Sequence, residues 1–513
     1  MFKKSPKTKQ FDLFFSPSGL MCDRESRLYD DGKAWHNEFY QHVTSKIDEE
    51  IFKPLFKEGN MGAPNAPIRI LVAMNILKEG CGCSDEQLFE RCRYDLLFRR
   101  ALGMVRLDEQ CPSIDTYYCL RRRICEYEEK HGKNLFEKCF KQVTGAQAKE
   151  YRISGKAIRM DSKLISSNIA WYSRYEIIHE TFLKCVCEAE INRLSDQMIR
   201  EQALTFLTED AAKTVYSTES DTLSKRLLCL GIVISHLLAN RPKEEVSLLN
   251  RVFHEQYDVQ SDGTITVRDK KLISASSLQN PNDPDATYRS KTNKKVKGYS
   301  TNITETTDEE GTPDLITDVK VKPAGAADNT FVEAAVQATE EVTGNKVEAV
   351  HADGAYQSEG NRKLAADGQN GFDFIANGIQ GKPSRFELNL QQDDQLKVTD
   401  KKSGEIITAI PTRNDKWKIP IQGKEGKMIH RYFTREQIDK SKVRRQVESI
   451  PFEQRKKRNN VEASIFQYCF HTRNNKTRYR GIIKHTLQAL ARCAWINMRR
   501  LFLFDVKLAN QIA

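Results

Sequence analysis

The sequence predicts an α/β fold: a mixed sheet flanked by helices, with a helical N-terminal part, a helical insertion and a β-rich insertion. Three observations carry that expectation. Short apolar runs of strand type fall at 157–161, 296–304, 315–321, 346–353 and 372–376, bounded by turn residues. Helical segments are expected over 331–341, 360–366, 453–470 and 485–502. Two stretches interrupt this pattern, an all-helical block from about 175 to 254 and a polar, strand-prone stretch over 383–437. With both set aside, the order is strand, hairpin, helix, strand, helix, strand, helix, which suits a mixed sheet covered by helices.

Residues 1–60 have weak periodicity. From Pro67, a first-turn proline, Ile68, Leu71, Val72, Asn75 and Ile76 repeat at helical spacing until Gly80 and Gly82. Ser84 and Gln87 read as a capping box opening a second helix with Leu88, Cys92 and Leu96 on one face. Pro112-Ser113 starts a third, with Tyr117, Leu120 and Ile124 on one side and Arg121, Arg122 and Arg123 beyond. Helix, turn, helix, then a basic helix is the arrangement of a DNA-binding module, and the three arginines are its candidate contacts. Ala157 to Asp161 reads as a strand. In the helical block, Ile178, Phe182 and Val186 share one face. The 296–304 and 315–321 strands form a hairpin around Asp308-Glu309-Glu310-Gly311, and Lys346 to Asp353 is the next strand. The 383–437 stretch has turns at Lys402-Ser403-Gly404 and Gly423-Lys424-Glu425-Gly426. At 513 residues the chain should hold several domains. The expected organisation is a helical DNA-binding domain over 1–150, core over 151–172, a helical insertion over 173–260, core again over 261–380, a β-rich insertion over 381–440, and closing core helices over 441–513.

Composition, 39% hydrophobic and 29% charged, is that of a soluble protein. The net charge of +11 favours a polyanionic partner. Residues 451–480 concentrate it, with eight Lys or Arg against Glu453 and Glu462, a stripe that suits a phosphate backbone. The lysine-studded start, Met1 to Leu20, has no apolar core of a secretory signal. The longest apolar run, Leu227 to Ala239, is interrupted by Ser235 and His236 and is too short to span a bilayer; a buried helix and no membrane association are expected. None of the thirteen cysteines lies between Leu230 and Tyr468. Cys81/Cys83 and Cys185/Cys187 are too close for zinc-knuckle spacing, so reduced thiols in a cytoplasm are expected.

Three carboxylates stand out. Asp161 ends one predicted strand; Asp353 ends another, in His351-Ala352-Asp353-Gly354-Ala355-Tyr356. A carboxylate at a strand's C-terminal end points into the crevice where such sheets bind ligands. Glu462 lies on the basic helix, four residues after Arg458 and on the same face. Arg455 falls on that side too, next to a stripe of Val461, Ile465 and Tyr468. One carboxylate amid arginines suits a metal ligand with phosphate clamps beside it. Converging carboxylates could hold two Mg²⁺ ions for phosphodiester chemistry.

These segments resemble the DDE transposases of bacterial insertion sequences, in particular the superfamily whose third-acid helix carries Tyr-x2-Arg-x3-Glu-x6-Lys. Pro112-Ser113-Ile114-Asp115-Thr116-Tyr117 resembles the end of that family's N-terminal helical domain. Ile158-Arg159-Met160-Asp161-Ser162 resembles the first acid's strand, and Asp353-Gly354-Ala355-Tyr356 the second acid with its Tyr. Asp283-Pro284-Asp285-Ala286 and Lys297-Gly298-Tyr299 are similar to the approach to the second strand. Arg458-x3-Glu462 matches the signature's centre, and Arg478-Tyr479-Arg480-Gly481 resembles the segment on its C-terminal side. The signature's Tyr and Lys positions hold Arg455 and Cys469. Arg455 can replace the Tyr as a phosphate contact; Cys469 cannot replace the Lys, for which Lys476 or Arg473 is the candidate substitute. The resemblance implies an RNase H-like core, two Mg²⁺ or Mn²⁺ ions held by Asp161, Asp353 and Glu462, and phosphate held by Arg458 and Arg455. It implies cleavage at an element's terminal inverted repeats and joining to target DNA, by a homodimer in the synaptic complex, in the cytoplasm at the bacterial nucleoid. The 383–437 stretch resembles the β-rich insertion of some relatives, where an aromatic stacks on a flipped base; Trp417 is the only Trp there, and ordinary packing in a small sheet is the other reading of it.

Overall fold

One long strand organises the centre of the molecule and pairs with three others. The computed structural model describes residues 2–5, 16–57, 64–240, 247–291, 294–307, 311–368, 371–378, 384–391, 394–412, 415–422 and 428–512. The strands up to the second interruption are β1 (Ala157–Ser166), β2 (Tyr257–Val259), β3 (Ile265–Val267), β4 (Thr287–Lys291), β5 (Lys294–Thr306), β6 (Ile316–Pro323), β7 (Ala349–Ala352) and β8 (Asp373–Ala376). β5 is the long strand. It runs antiparallel to β4, β6 and β1. On the far side of β1, β7 lies parallel to it and β8 parallel to β7. The fold is therefore mixed α/β with a helical N-terminal region, as the pattern predicts. The parallel step needs a crossover, supplied by the helix Val332–Thr343, which ends at Gly344 in the left-handed conformation. The small pair β2–β3 stands apart.

The sequence underestimates three features. β4 is not expected, because Thr-Tyr-Arg-Ser-Lys has no apolar alternation; it is held at the edge by β5 alone. A helix over Arg435–Ser449 is not expected either; a capping box of Thr434 and Gln437 starts it although its buried positions are sparse. The basic helix expected over 453–470 is broken. Phe452–Lys456 and Val461–Cys469 are helical, and Lys457–Asn460 between them tightens into a 3₁₀ turn. Four successive cations, Arg455 to Arg458, crowd their charges there, and the two asparagines that follow are poor helix formers. The turns expected at 308–310 and 423–426 lie outside the described residues.

The N-terminal helices are not packed by themselves. Ile68–Cys81 is buried along nearly its whole length, and the C-terminal helix Ile482–Ile512 packs across it. Gly80 permits that approach: a Cβ there would meet the Trp495 ring at 2.3 Å. One apolar core joins Phe39, Met74 and Leu77 to Ile303 and Val319 of the sheet and to Leu490 and Ile496. The expected cap and box at Ser84–Gln87 are present, and Ser113 caps the helix Ile114–His131.

The two interruptions have cores of their own. Helices from Arg174 to Gln256 enclose Phe182, Phe206, Leu230, Ile234 and Phe253. The helix Ser220–Ala239 is 20 residues long, more than the apolar run alone suggests. By length and composition it could cross a membrane, yet its Leu227, Leu230, Val233, Ile234 and Leu237 pack into this core. The second interruption is an antiparallel meander of β9 (Phe386–Leu390), β10 (Leu396–Asp400), β11 (Ile406–Thr412), β12 (Lys416–Gln422) and β13 (Met428–Thr434). Leu388, Leu396, Val398, Ile419 and Phe433 fill its core.

Candidate active site

Asp161 and Asp353 become neighbours through strand register. β1 and β7 are parallel with Arg159 opposite His351, so the residues two further on stand side by side where β7 ends. Each carboxylate is fixed by a backbone amide: Ser162 N–H donates to Asp161 Oδ1 at 2.9 Å, and Gly354 N–H to Asp353 Oδ1 at 2.6 Å. The carboxylates also sense each other. Burial pushes the Asp161 carboxyl above its ordinary value; Arg458 opposes that, and the charge of Asp353 adds to it.

Glu462 reaches the same place from the first turn of the helix Val461–Cys469. Val461, Ser464, Ile465 and Tyr468 bury the inner face of that helix, which leaves Glu462 at the rim with its side chain 62% exposed. Arg458, in the 3₁₀ turn, stands between the acids. Its Nη2 lies 2.5 Å from Asp161 Oδ2 and its Nη1 3.0 Å from Glu462 Oε1. Among the described residues, the oxygens of Asp161, Asp353 and Glu462 do not gather within 4.8 Å of one another as one ligand set. Two carboxylates stand on adjoining strand ends, and the third is one guanidinium away from Asp161. Hard oxygen donors on adjoining strand ends fit a divalent cation of the Mg²⁺ type, and the Arg458 charge lies where positive charge is required.

The floor of the site is polar and saturated. Tyr356 is fully buried, and its hydroxyl donates to Asn302 Oδ1 at 2.7 Å. Burial, followed by the charges of Asp161 and Asp328, holds its pKa well above the ordinary tyrosine value, so it stays neutral. Ser162 Oγ donates to Asp328 at 3.1 Å, and Arg289 grips both oxygens of Asp328 at 3.1 Å each. Sequence reasoning noticed Tyr356 only as part of a motif and missed Asn302, Asp328 and Arg289; no spacing singles these out.

The other expected residues scatter. Arg455 is half-buried, and its Nε has no hydrogen-bond partner among the described residues. Lys476 is exposed on a segment bonded to the end of β1, where Thr477 N–H donates to Ser166 O and Ser166 N–H to Asn475 O, both at 2.8 Å. Ser166 lies five residue steps along β1 from Asp161, about 17 Å. A nearer cation was missed: Lys163, two residues past Asp161 and on the same face of β1, stands close enough to oppose the burial that raises the Cys469 thiol. Period-two spacing from Asp161 was the signal for it. Arg121 packs its guanidinium over the rings of Tyr117 and Tyr479, 5.5 and 5.2 Å from their centroids. Arg123 lies over Phe56, and Arg122 is exposed, 3.6 Å from Glu126. Trp417 is only 5% exposed and faces the core of the β-rich sheet, so its ring is not open to a ligand.

The helices that carry these arginines have known counterparts. Residues 28–123 match the family model described as Transposase domain (DUF772). The match supports a transposase role, and with it DNA as the partner. It includes Arg121, Arg122 and Arg123 and ends before the first of the three carboxylates. No curated protein and no solved structure matches the chain.

Proposed function

We propose that the chain is a DDE-type transposase that cuts the ends of an insertion sequence and joins them to target DNA. The observation that carries this reading is the meeting of Asp161 and Asp353 at adjoining strand ends, with Arg458 linking Asp161 to Glu462. The strand arrangement supports an RNase H-like core: β5 antiparallel to β1, and β7 and β8 parallel to it on the other side. In that core the helical block at 173–260 and the β-rich sheet at 381–440 are insertions. Two ends brought together imply a homodimer on DNA, and the setting is the cytoplasm at the bacterial nucleoid.

Asp161, Asp353 and Glu462 would hold two Mg²⁺ or Mn²⁺ ions, which neutralise phosphate oxygens and activate the attacking water or 3′-hydroxyl. The residues of the chain do the rest. Asp161 is kept ionisable by Arg458 against its burial. Arg458 exchanges its two carboxylates for a phosphate, which its fork fits bidentately. Arg455, Lys163 and Lys476 bind the backbone on either side. Tyr356 with Asn302, and Ser162 with Asp328, hold the two strand ends in register.

A labelled duplex carrying the element's end, incubated with Mg²⁺ or Mn²⁺, tests the reading. Nicking and joining are expected, lost in EDTA and in Asp161→Ala, Asp353→Ala and Glu462→Ala. Nicking without joining makes the chain a nuclease. Binding without nicking makes it a DNA-binding protein that has lost its chemistry, the outcome favoured by a half-buried Cys469 at the signature's Lys position.

A further inference from the structure

A second group of ligand-type side chains lies far from the three carboxylates in sequence, between the N-terminal helices and the C-terminal helix. Glu38 and His42 sit four residues apart on the helix Trp35–His42 and share one face. Asp505 comes from the helix Ile482–Ile512. Glu38 is 6% and His42 1% exposed. Glu38 Oε2 lies 2.8 Å from His42 Nε2, and Asp505 Oδ2 lies 3.9 Å from it; all three atoms are within 4.8 Å of one another. Zinc bound at about 2.0–2.2 Å in a tetrahedron places its ligands about 3.4 Å apart. The two distances from His42 straddle that value.

Hydrogen bonding accounts for only part of the cluster. The Tyr151 hydroxyl donates to Asp505 Oδ2 at 2.5 Å, while His42 Nε2 faces Glu38 at 2.8 Å, Asp505 at 3.9 Å and the same hydroxyl at 3.3 Å, and one N–H serves one of them. Glu38 Oε2 is buried without a hydrogen-bond partner among the described residues despite its closeness to the imidazole, and so is His42 Nδ1. On the Nδ1 side Glu150 Oε2 waits at 3.9 Å, where a carboxylate customarily orients a metal-bound histidine. The charge is unbalanced too. Glu38, Asp505 and Glu150 surround one imidazole, and Lys46 is paired with Glu150 at 2.5 Å. A divalent cation would satisfy the open donors and the excess negative charge together.

We propose that Glu38, His42 and Asp505 form a structural transition-metal site of the zinc class, fastening the N-terminal helices to the C-terminal helix, with a fourth position for water or the Tyr151 hydroxyl. Imidazole and carboxylate donors suit zinc, whereas Mg²⁺ takes oxygen ligands alone. The proposal is independent of the DNA chemistry above. The test is titration of the chelator-stripped full chain with Zn²⁺ in excess Mg²⁺, followed by calorimetry and by the melting temperature. One tight equivalent is expected, with a higher melting temperature, unchanged in Asp161→Asn. Glu38→Gln keeps the shape but removes an anionic ligand, and should weaken zinc at least about 100-fold, the upper end of what loss of an outer-shell partner costs. A wild-type chain without tight zinc, or zinc lost in Asp161→Asn but kept in Glu38→Gln, overturns the assignment. Should Glu38→Gln not fold, Co²⁺ decides on the wild type: intense visible bands of a four-coordinate ion support the site, and the weak bands of a six-coordinate ion refute it.

Discussion

Two acid–arginine clusters share β1 and the helix Val461–Cys469, and they are finished to different degrees. In one, Arg159 Nε lies 2.5 Å from Glu305 Oε1, and its Nη2 2.6 Å from Asp314. Arg500 Nη2 lies 2.7 Å from Glu305 Oε2, to which Ser464 Oγ also donates. The Glu305 side chain is wholly buried with both oxygens engaged. Burial alone would raise its pKa, but Arg500 and Arg159 more than overcome it and leave it lowered. Two residues along the same strand is Asp161, and two residues back on the same helix is Glu462. There one arginine serves two acids, the Asp161 carboxyl is raised rather than lowered, and Glu462 opens to solvent. A saturated cluster locks strand to helix. An under-neutralised one at a rim keeps its affinity for a further cation.

Substitutions can break that contrast. The largest effect belongs to the open cluster. Asp161→Asn should lower strand cleavage about a thousandfold or more, because removing a ligand forfeits several kcal/mol of transition-state stabilisation, while its thermal melt stays close to wild type. The same assay with Glu305→Ala should fail for a different reason. Removing Glu305 takes from Arg500 its carboxylate and leaves Arg159 with Asp314 alone; breaking such a buried pairing costs about 3–5 kcal/mol, read as a lower denaturation midpoint.

A third carboxylate, Asp318 on β6, sharpens the comparison because it has neither arginine nor rim. It is buried, and neither oxygen has a partner among the described residues. Burial pushes its pKa to about 7, with Lys320 and Lys141 opposing and Glu137 adding. A raised carboxyl favours the folded state in its protonated form. That contribution is complete below the unfolded value and is lost as pH climbs through about 7. Asp318→Asn should therefore stabilise the protein at pH 8 by up to about 4 kcal/mol, less the cost of an unpaired amide, with the gain gone at pH 4; urea midpoints at the two pH values check it. The smallest effect is expected at the bridge. Arg458→Gln removes the cation between Asp161 and Glu462 and one phosphate clamp. Mg²⁺ should bind a few-fold tighter by calorimetry and cleavage should slow about tenfold, the loss of one charged hydrogen bond.

The open cluster was the more legible of the two. Asp161 and Asp353 end apolar runs, and Arg458 and Glu462 keep helical spacing, so four residues could be named from pattern alone. The closed cluster was invisible. Thr304-Glu305-Thr306 reads as a solvent-facing alternation, and only the C-terminal helix, which brings Arg500 from 195 residues away, turns that face into core. Distance along the chain also hid Asp328 and Asn302 beneath Tyr356. Local physics defeated the expected continuous helix at 457–460, where adjacent charges and asparagines tighten the backbone. Trp417 follows the commoner of its two readings: an aromatic in a strand-prone stretch is more often interior than ligand-facing, and this one is interior.

Gly80 beneath Trp495 has a consequence for how DNA would be measured. The helices of the transposase-domain match and the sheet holding Asp161 share one packed interior, with no tether between them to let out or reel in. A duplex seated against the 114–131 helix would meet the carboxylates at a set number of base pairs, in a set rotational phase of the double helix. The protein would act as a ruler, and inserting half a helical turn between the recognised sequence and the element's end should abolish cutting at that end.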